Sequence, residues 1–84
     1  MIEFLAELFV ARTNTAAAAI AAASFNHAAA ELTAEGRPVR LVRSIFVPND
    51  ETCFLLVEGA SGEDVREAAR RAELTFAHVG EAVH

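Results

Sequence analysis

Three imidazoles, His27, His78 and His84, one thiol, Cys53, and a spread of carboxylates and arginines are the groups in this chain with chemistry to offer. An imidazole titrates near neutral pH, so it can move a proton or bind a metal ion. Imidazole, carboxylate and thiolate all bind divalent transition-metal ions. His27 and Glu31 stand four apart, a spacing that makes neighbours of them on a helix. His84 is the last residue, where chains commonly fray. His78 lies in a short apolar segment that reads as a strand. If that strand turns it inward, His78 with Glu58 and Glu7 forms a metal site that a second copy can complete. Arg43 is the group placed to hold an anion. Each residue also has a plainer reading: the histidines as ordinary surface or core residues, and Cys53 as a small buried hydrophobe. There is no CxxC pair, no glycine-rich phosphate loop after a strand, and nothing that marks Ser44 as an activated nucleophile.

The elements that must position these groups follow from periodicity and punctuation. Ile2 to Val10 alternates with period two: Ile2, Phe4, Ala6, Leu8 and Val10 fall on one face, and Glu3, Leu5, Glu7 and Phe9 on the other. Thr13-Asn14-Thr15 supplies a helix cap, and the alanine-rich run Ala16 to Glu35 is a helix. Its apolar stripe is Ala17, Ala21, Phe25, Ala28 and Leu32, with Ser24 beside it. Gly36 stops that helix and Pro38 prevents its return. Val39 to Val47 and Thr52 to Glu58 are two β-rich runs around the polar break Pro48-Asn49-Asp50-Glu51, the pattern of a hairpin. Ser61, followed three residues on by Asp64, resembles a capping box for a second helix with Val65, Ala68, Ala69 and Ala72 as its stripe. Glu67, Arg70 and Arg71 pair on the wet side of that helix. Leu74 to Val83 reads as a last strand with Gly80 as a bulge. The order β-α-β-β-α-β predicts one α+β domain over residues 1–84, ferredoxin-like, with an antiparallel four-stranded sheet and both helices on one face.

Counting from a four-residue loop pairs Val47 with Thr52 and divides the hairpin into two faces. Val42, Ser44, Phe46, Cys53, Leu55 and Val57 share the drier side, which is assigned to the helices. Leu41, Arg43, Ile45, Phe54, Leu56 and Glu58 share the other, together with Leu5 and Phe9 from the first strand. An apolar sheet face of that size is poorly suited to water. Its charged members Glu3, Glu7, Arg43 and Glu58 are costly to bury unpaired. Both conditions are met if two copies stack sheet on sheet as a dimeric α+β barrel with a cavity between them. The plainer alternative is that Arg43 and Glu58 pair to satisfy each other.

Composition narrows the partners. Nineteen of the 84 residues are alanine, so large core formers are few, and a dimer interface or a ligand would help so small a core. The net charge is −5, which repels phosphate backbones, and no basic cluster offsets it, so nucleic acid is excluded as a partner. An RNA-recognition domain shares this element order but needs aromatic and basic residues on its central strands. The single cysteine rules out an intrachain disulfide and fits a reducing, cytoplasmic setting. Glu3 and Glu7 stand where a signal peptide is basic, and no apolar run is long enough to span a bilayer, so no membrane role is expected.

Several strings taken together, Gly36-Arg37-Pro38-Val39-Arg40, Arg43-Ser44-Ile45-Phe46-Val47-Pro48, Cys53, Glu58 and Val65-Arg66-Glu67, resemble a family of small bacterial ferredoxin-like proteins. That family is classed as a domain of unknown function and is known in part as nickel-binding proteins. The resemblance covers Gly36 to Ala82 well and the first third poorly. Ala68 and Ala69 stand where members often carry Asn, and Glu73-Leu74-Thr75 where Gly and Pro are common. It implies a βαββαβ protomer, a homodimer and, for some members, a nickel ion at or near the subunit interface. It does not carry the family's metal ligands onto particular residues here. Two functional expectations follow. One is a binding protein that holds a metal ion, nickel above all, or a small ligand between the sheets of a homodimer. The other is a dimeric α+β barrel enzyme, a small isomerase or cofactor-free oxygenase, with Arg43 holding an anionic substrate and His78 or a carboxylate moving a proton.

Overall fold

The computed structural model describes residues 1–83 of the chain; the His84 imidazole lies outside the described residues. Its elements are β1 (Ile2–Phe9), α1 (Thr15–Ala34), β2 (Val39–Val47), a 3-10 turn (Pro48–Asp50), β3 (Thr52–Gly59), α2 (Gly62–Arg71) and β4 (His78–Glu81). The strands form one antiparallel sheet in the order β2-β3-β1-β4. This is the ferredoxin-like α+β fold that the element order predicts.

The alternation of β1 and β3 decides which face the helices cover. Phe4, Ala6, Leu8 and Val10 are buried, as are Cys53, Leu55 and Val57. Against them pack Ala18, Ala21, Phe25, Ala28, Ala29 and Leu32 of α1 and Val65, Ala68 and Ala69 of α2. The small residues on both helices let the helix backbones approach the sheet closely. The predicted stripe of α1 is shifted by one position at its start, where Ala18 is buried and Ala17 only half-buried.

Local chemistry fixes the ends of the helices. Gly36 has φ +88° and closes α1 in a Schellman motif, with Arg37 N–H donating to the Leu32 carbonyl and Gly36 N–H to that of Thr33. At the end of α2 the same arrangement recurs: Leu74 N–H donates to the Ala69 carbonyl and Glu73 N–H to that of Arg70. Here the left-handed position is filled by Glu73, with φ 58°. Ser61 caps α2 by accepting from Asp64 N–H at 3.3 Å. The reciprocal half of the capping box is absent: the Asp64 carboxylate instead pairs with Arg37 at 2.8 Å and ties α2 to the end of α1.

Three expectations change. β4 spans only four residues, because Leu74 and Phe76 turn onto the core from an irregular segment before the strand begins. Gly80 lies in register opposite Leu5 and forms no bulge. The irregularity is instead in β2, between Leu41 and Arg43, where Val42 is the additional residue. A one-residue insertion reverses the facing of everything beyond it. Leu41 therefore packs on the helix side opposite Val57, and Val42 is exposed.

Candidate functional site: the bare face of the sheet

The strand pairings define rungs across the uncovered face. The middle rung runs Arg43, Leu56, Leu5, Gly80 across β2, β3, β1 and β4. The next runs Ile45, Phe54, Glu7, His78. On the other side of the middle rung stand Arg40, Glu58 and Glu3. Beyond the Glu7 rung, Phe9 ends β1 and is 70% exposed. Leu5 and Ile45 are also exposed, while Phe54 and Leu56 are half-buried by their neighbours in the sheet.

The register places Glu7 and His78 as direct cross-strand partners on this face. Their Cβ atoms are then about 5 Å apart, as for any such pair. Glu58 lies elsewhere. It is opposite Glu3, and four residues along a strand separate Glu3 from Glu7, roughly 13 Å at the strand rise. The Glu58 carboxylate accepts two hydrogen bonds from Arg40, at 2.7 and 2.9 Å. The bulge is the cause: by inserting Val42 it turns Arg40 onto the bare face opposite Glu58, where an unbroken ladder would set Leu41. An Arg43–Glu58 pair is thereby replaced by Arg40–Glu58. A sequence signal for this exists in retrospect, since Arg40 and Glu58 are complementary only if one residue is inserted between them and the hairpin turn.

Arg43 and Glu7 are left without a hydrogen bond or ion pair among the described residues. The His78 ring lies along its own strand: a Cβ built on Gly80 would stand 3.0 Å from His78 Nε2. Gly80 thus leaves room for the imidazole at that point.

The remaining candidates are placed apart from this face. Cys53 is on the helix side and 1% exposed, and burial pushes its thiol pKa up. It stays protonated and behaves as a small hydrophobe. His27 and Glu31 approach to 3.6 Å on the outer surface of α1, with Glu31 and His27 both well exposed. Glu67 pairs with Arg70 and Arg71, as the helical spacing predicts. Arg71 reaches further, to a two-point contact with Glu35 at 2.7 and 2.9 Å. Hydrogen bonds from these arginines hold the Glu35 and Glu67 carboxyls below their ordinary pKa.

As a metal centre, one protomer is incomplete. Among the described residues no three His, Cys, Asp or Glu side chains gather closely enough to hold an ion. Glu7 and His78 supply one carboxylate and one imidazole, a donor set acceptable to nickel but half of what a four-coordinate site needs. Among the described residues, no helix is long and apolar enough to cross a membrane. The fold and the bare face together define a ferredoxin-like domain with one sheet surface uncovered. No protein-family model, curated protein or solved structure matches the chain.

Proposed function

We propose that the protein is a homodimeric binding protein in which two copies stack their bare sheet faces and hold a small ligand between them. The observation that carries this reading is the composition of that face. It combines apolar Leu5, Phe9, Ile45, Phe54 and Leu56 with an Arg43 and a Glu7 that have no partner among the described residues. Apolar area drives association. Unpaired charges oppose burial unless something pairs them, and a second copy or a ligand does so.

Stacking about a two-fold axis parallel to the strands lays β2 of one copy across β4 of the other. Arg43 then comes over the Gly80 and His78 region, and Arg43, Glu7 and His78 line a common space from two subunits. That space suits a ligand bearing a carboxylate, which Arg43 binds through its planar fork. It also suits a divalent transition-metal ion such as nickel, with Glu7 and His78 as donors and the second copy or the ligand supplying the rest. The enzyme alternative requires Arg43 and His78 to act on one small substrate. Within a protomer they stand on opposite edge strands, roughly 15 Å apart from the strand spacing, so a single subunit does not assemble that pair.

The test is metal and ligand stoichiometry on tag-free protein. Purified material is assayed for bound metals, then stripped and titrated with nickel by calorimetry. The proposal expects saturable binding at micromolar nickel that is lost in Glu7→Gln and His78→Ala and retained in Cys53→Ser. Binding unchanged in both site variants would remove Glu7 and His78 from the site. No nickel binding, with a small carboxylate bound in an Arg43-dependent way, would leave the organic-ligand form of the proposal.

A further inference from the structure

A second candidate site lies away from the bare face, between α2 and β4. The sheet's edge strand is only lightly covered by α2, and the gap between them is a cleft of about 430 Å³. That size is within the range of small-molecule sites. Its apolar lining is Ala69 of α2 with Leu74, Phe76 and Val79, the last three half-buried and packed on the core from one side only. Phe76 is held in place by Phe25 of α1, with ring centroids 6.0 Å apart. Two arginines one turn apart on α2, Arg66 and Arg70, stand at the cleft.

These arginines differ in what they already bind. Arg70 is committed to Glu67 at 2.7 Å and lies 3.7 Å from Glu63, so its charge is largely offset within the helix. Arg66 has no hydrogen bond or ion pair among the described residues. Its guanidinium lies back along α2 over Gly62: a Cβ on Gly62 would be 3.2 Å from Arg66 Nη1 and 3.6 Å from the Phe4 ring. The guanidinium thus sits near the first turn of α2, where it adds its charge to that of the helix N-terminus. Ser61 already satisfies one N–H of that turn. A cleft with one apolar wall, Leu74, Phe76 and Val79, and one uncommitted cation on the polar remainder of its lining points to an occupant with an apolar body and a single negative charge.

We infer that the α2–β4 cleft binds a small aromatic carboxylate, with the ring against Leu74, Phe76 and Val79 and the carboxylate on Arg66. The inference does not rest on the sheet-face proposal: Arg66, Leu74, Phe76 and Val79 lie off that face, and His78, which lines the cleft as well, is given no part in it. Arg66 supplies a two-point contact to the carboxylate, and Phe76 an aromatic surface for edge or offset stacking.

The probe is phenylacetate, with neutral phenylacetamide as its control, titrated into the isotope-labelled full chain and followed by amide chemical shifts. The expected result is saturable shifts centred on 66–79, weaker binding of the amide, and roughly tenfold weaker phenylacetate binding in Arg66→Ala with partial recovery in Arg66→Lys. Val79→Asp, on the cleft wall, should abolish binding while leaving the shifts of α1 unchanged. Equal affinity for acid and amide, or unchanged affinity in Arg66→Ala, overturns the inference. So does the absence of saturation at millimolar phenylacetate. Shifts centred on Leu5, Arg43 and Phe54 instead would move the ligand to the bare face and overturn the cleft assignment while supporting the sheet-face proposal.

Discussion

The two faces of one sheet differ more than any two elements of this molecule, although the same strands build both. On the covered face, β1 and β3 present Phe4, Ala6, Leu8, Cys53, Leu55 and Val57, and among the described residues no polar or charged one is buried there. On the bare face the alternate positions of the same strands present Leu5, Phe9, Phe54 and Leu56 interleaved with Glu3, Glu7 and Glu58. The first set is what a small core requires and needs no other explanation. The second serves the folded monomer poorly: its apolar members stay in contact with water, and Glu7 makes no ion pair among the described residues. The contrast teaches that folding uses one side of the sheet, and that the other side, four strands wide, is left open to the association proposed above.

Truncation should separate the faces most strongly. Leu55 is 0% exposed on the covered face, so Leu55→Ala should cost the folded protein about 2–5 kcal/mol in urea denaturation. Ile45 is 48% exposed on the bare face, so Ile45→Ala should cost the monomer less than about 1 kcal/mol at low protein concentration. Equal losses would break the distinction between the faces. The covered face also depends on the helices being well terminated. Ser61→Ala removes the cap on α2 and should cost about 1 kcal/mol in urea denaturation. Glu73 occupies a left-handed position that glycine adopts without penalty. Glu73→Gly should therefore raise the free energy of unfolding in urea by about 1 kcal/mol.

The smallest effect is electrostatic and lies outside both faces. Glu35 and Glu67 have folded-state pKa values below the ordinary carboxylate value because arginines donate hydrogen bonds to them. The unfolded chain therefore binds protons first as pH falls. The stabilisation is present above the ordinary value of 4.5 and is lost as pH drops through the lowered folded values. Both groups are at the surface, where screening keeps the effect small. Arg71→Gln should flatten the acid limb of stability against pH. An unchanged limb would show that the Glu35–Arg71–Glu67 network contributes nothing measurable.

Much of this was legible in the residues. The alternation of Ile2 to Val10 gave the correct buried face of β1, and the polar break Pro48 to Glu51 gave the pairing of Val47 with Thr52. Gly36 marked a real helix end, and Ser61 a real cap. The bulge at Val42 has no local mark, because Arg40-Leu41-Val42-Arg43 contains no glycine or proline, and only the charge match of Arg40 with Glu58 hints at it. That one insertion sets Arg40 in place of Leu41 opposite Glu58, and so it gives Glu58 a partner other than Arg43. Leu74 and Phe76 imitated a strand because their alternation is genuine: both do face the core, but from a loop whose backbone joins no ladder. The cleft beside them was also invisible, since an uncommitted arginine and a half-covered phenylalanine leave no spacing to read.

The most direct test of the central claim is sedimentation equilibrium of the full chain, run beside Ile45→Lys. Ile45 sits on the bare face opposite Phe54, and a lysine there keeps the β-ladder while placing a charge in the proposed contact. The account predicts a dimer at micromolar concentration for the native chain and a folded monomer for Ile45→Lys. A native chain that sediments as a monomer, or an Ile45→Lys variant that remains a dimer, would contradict it.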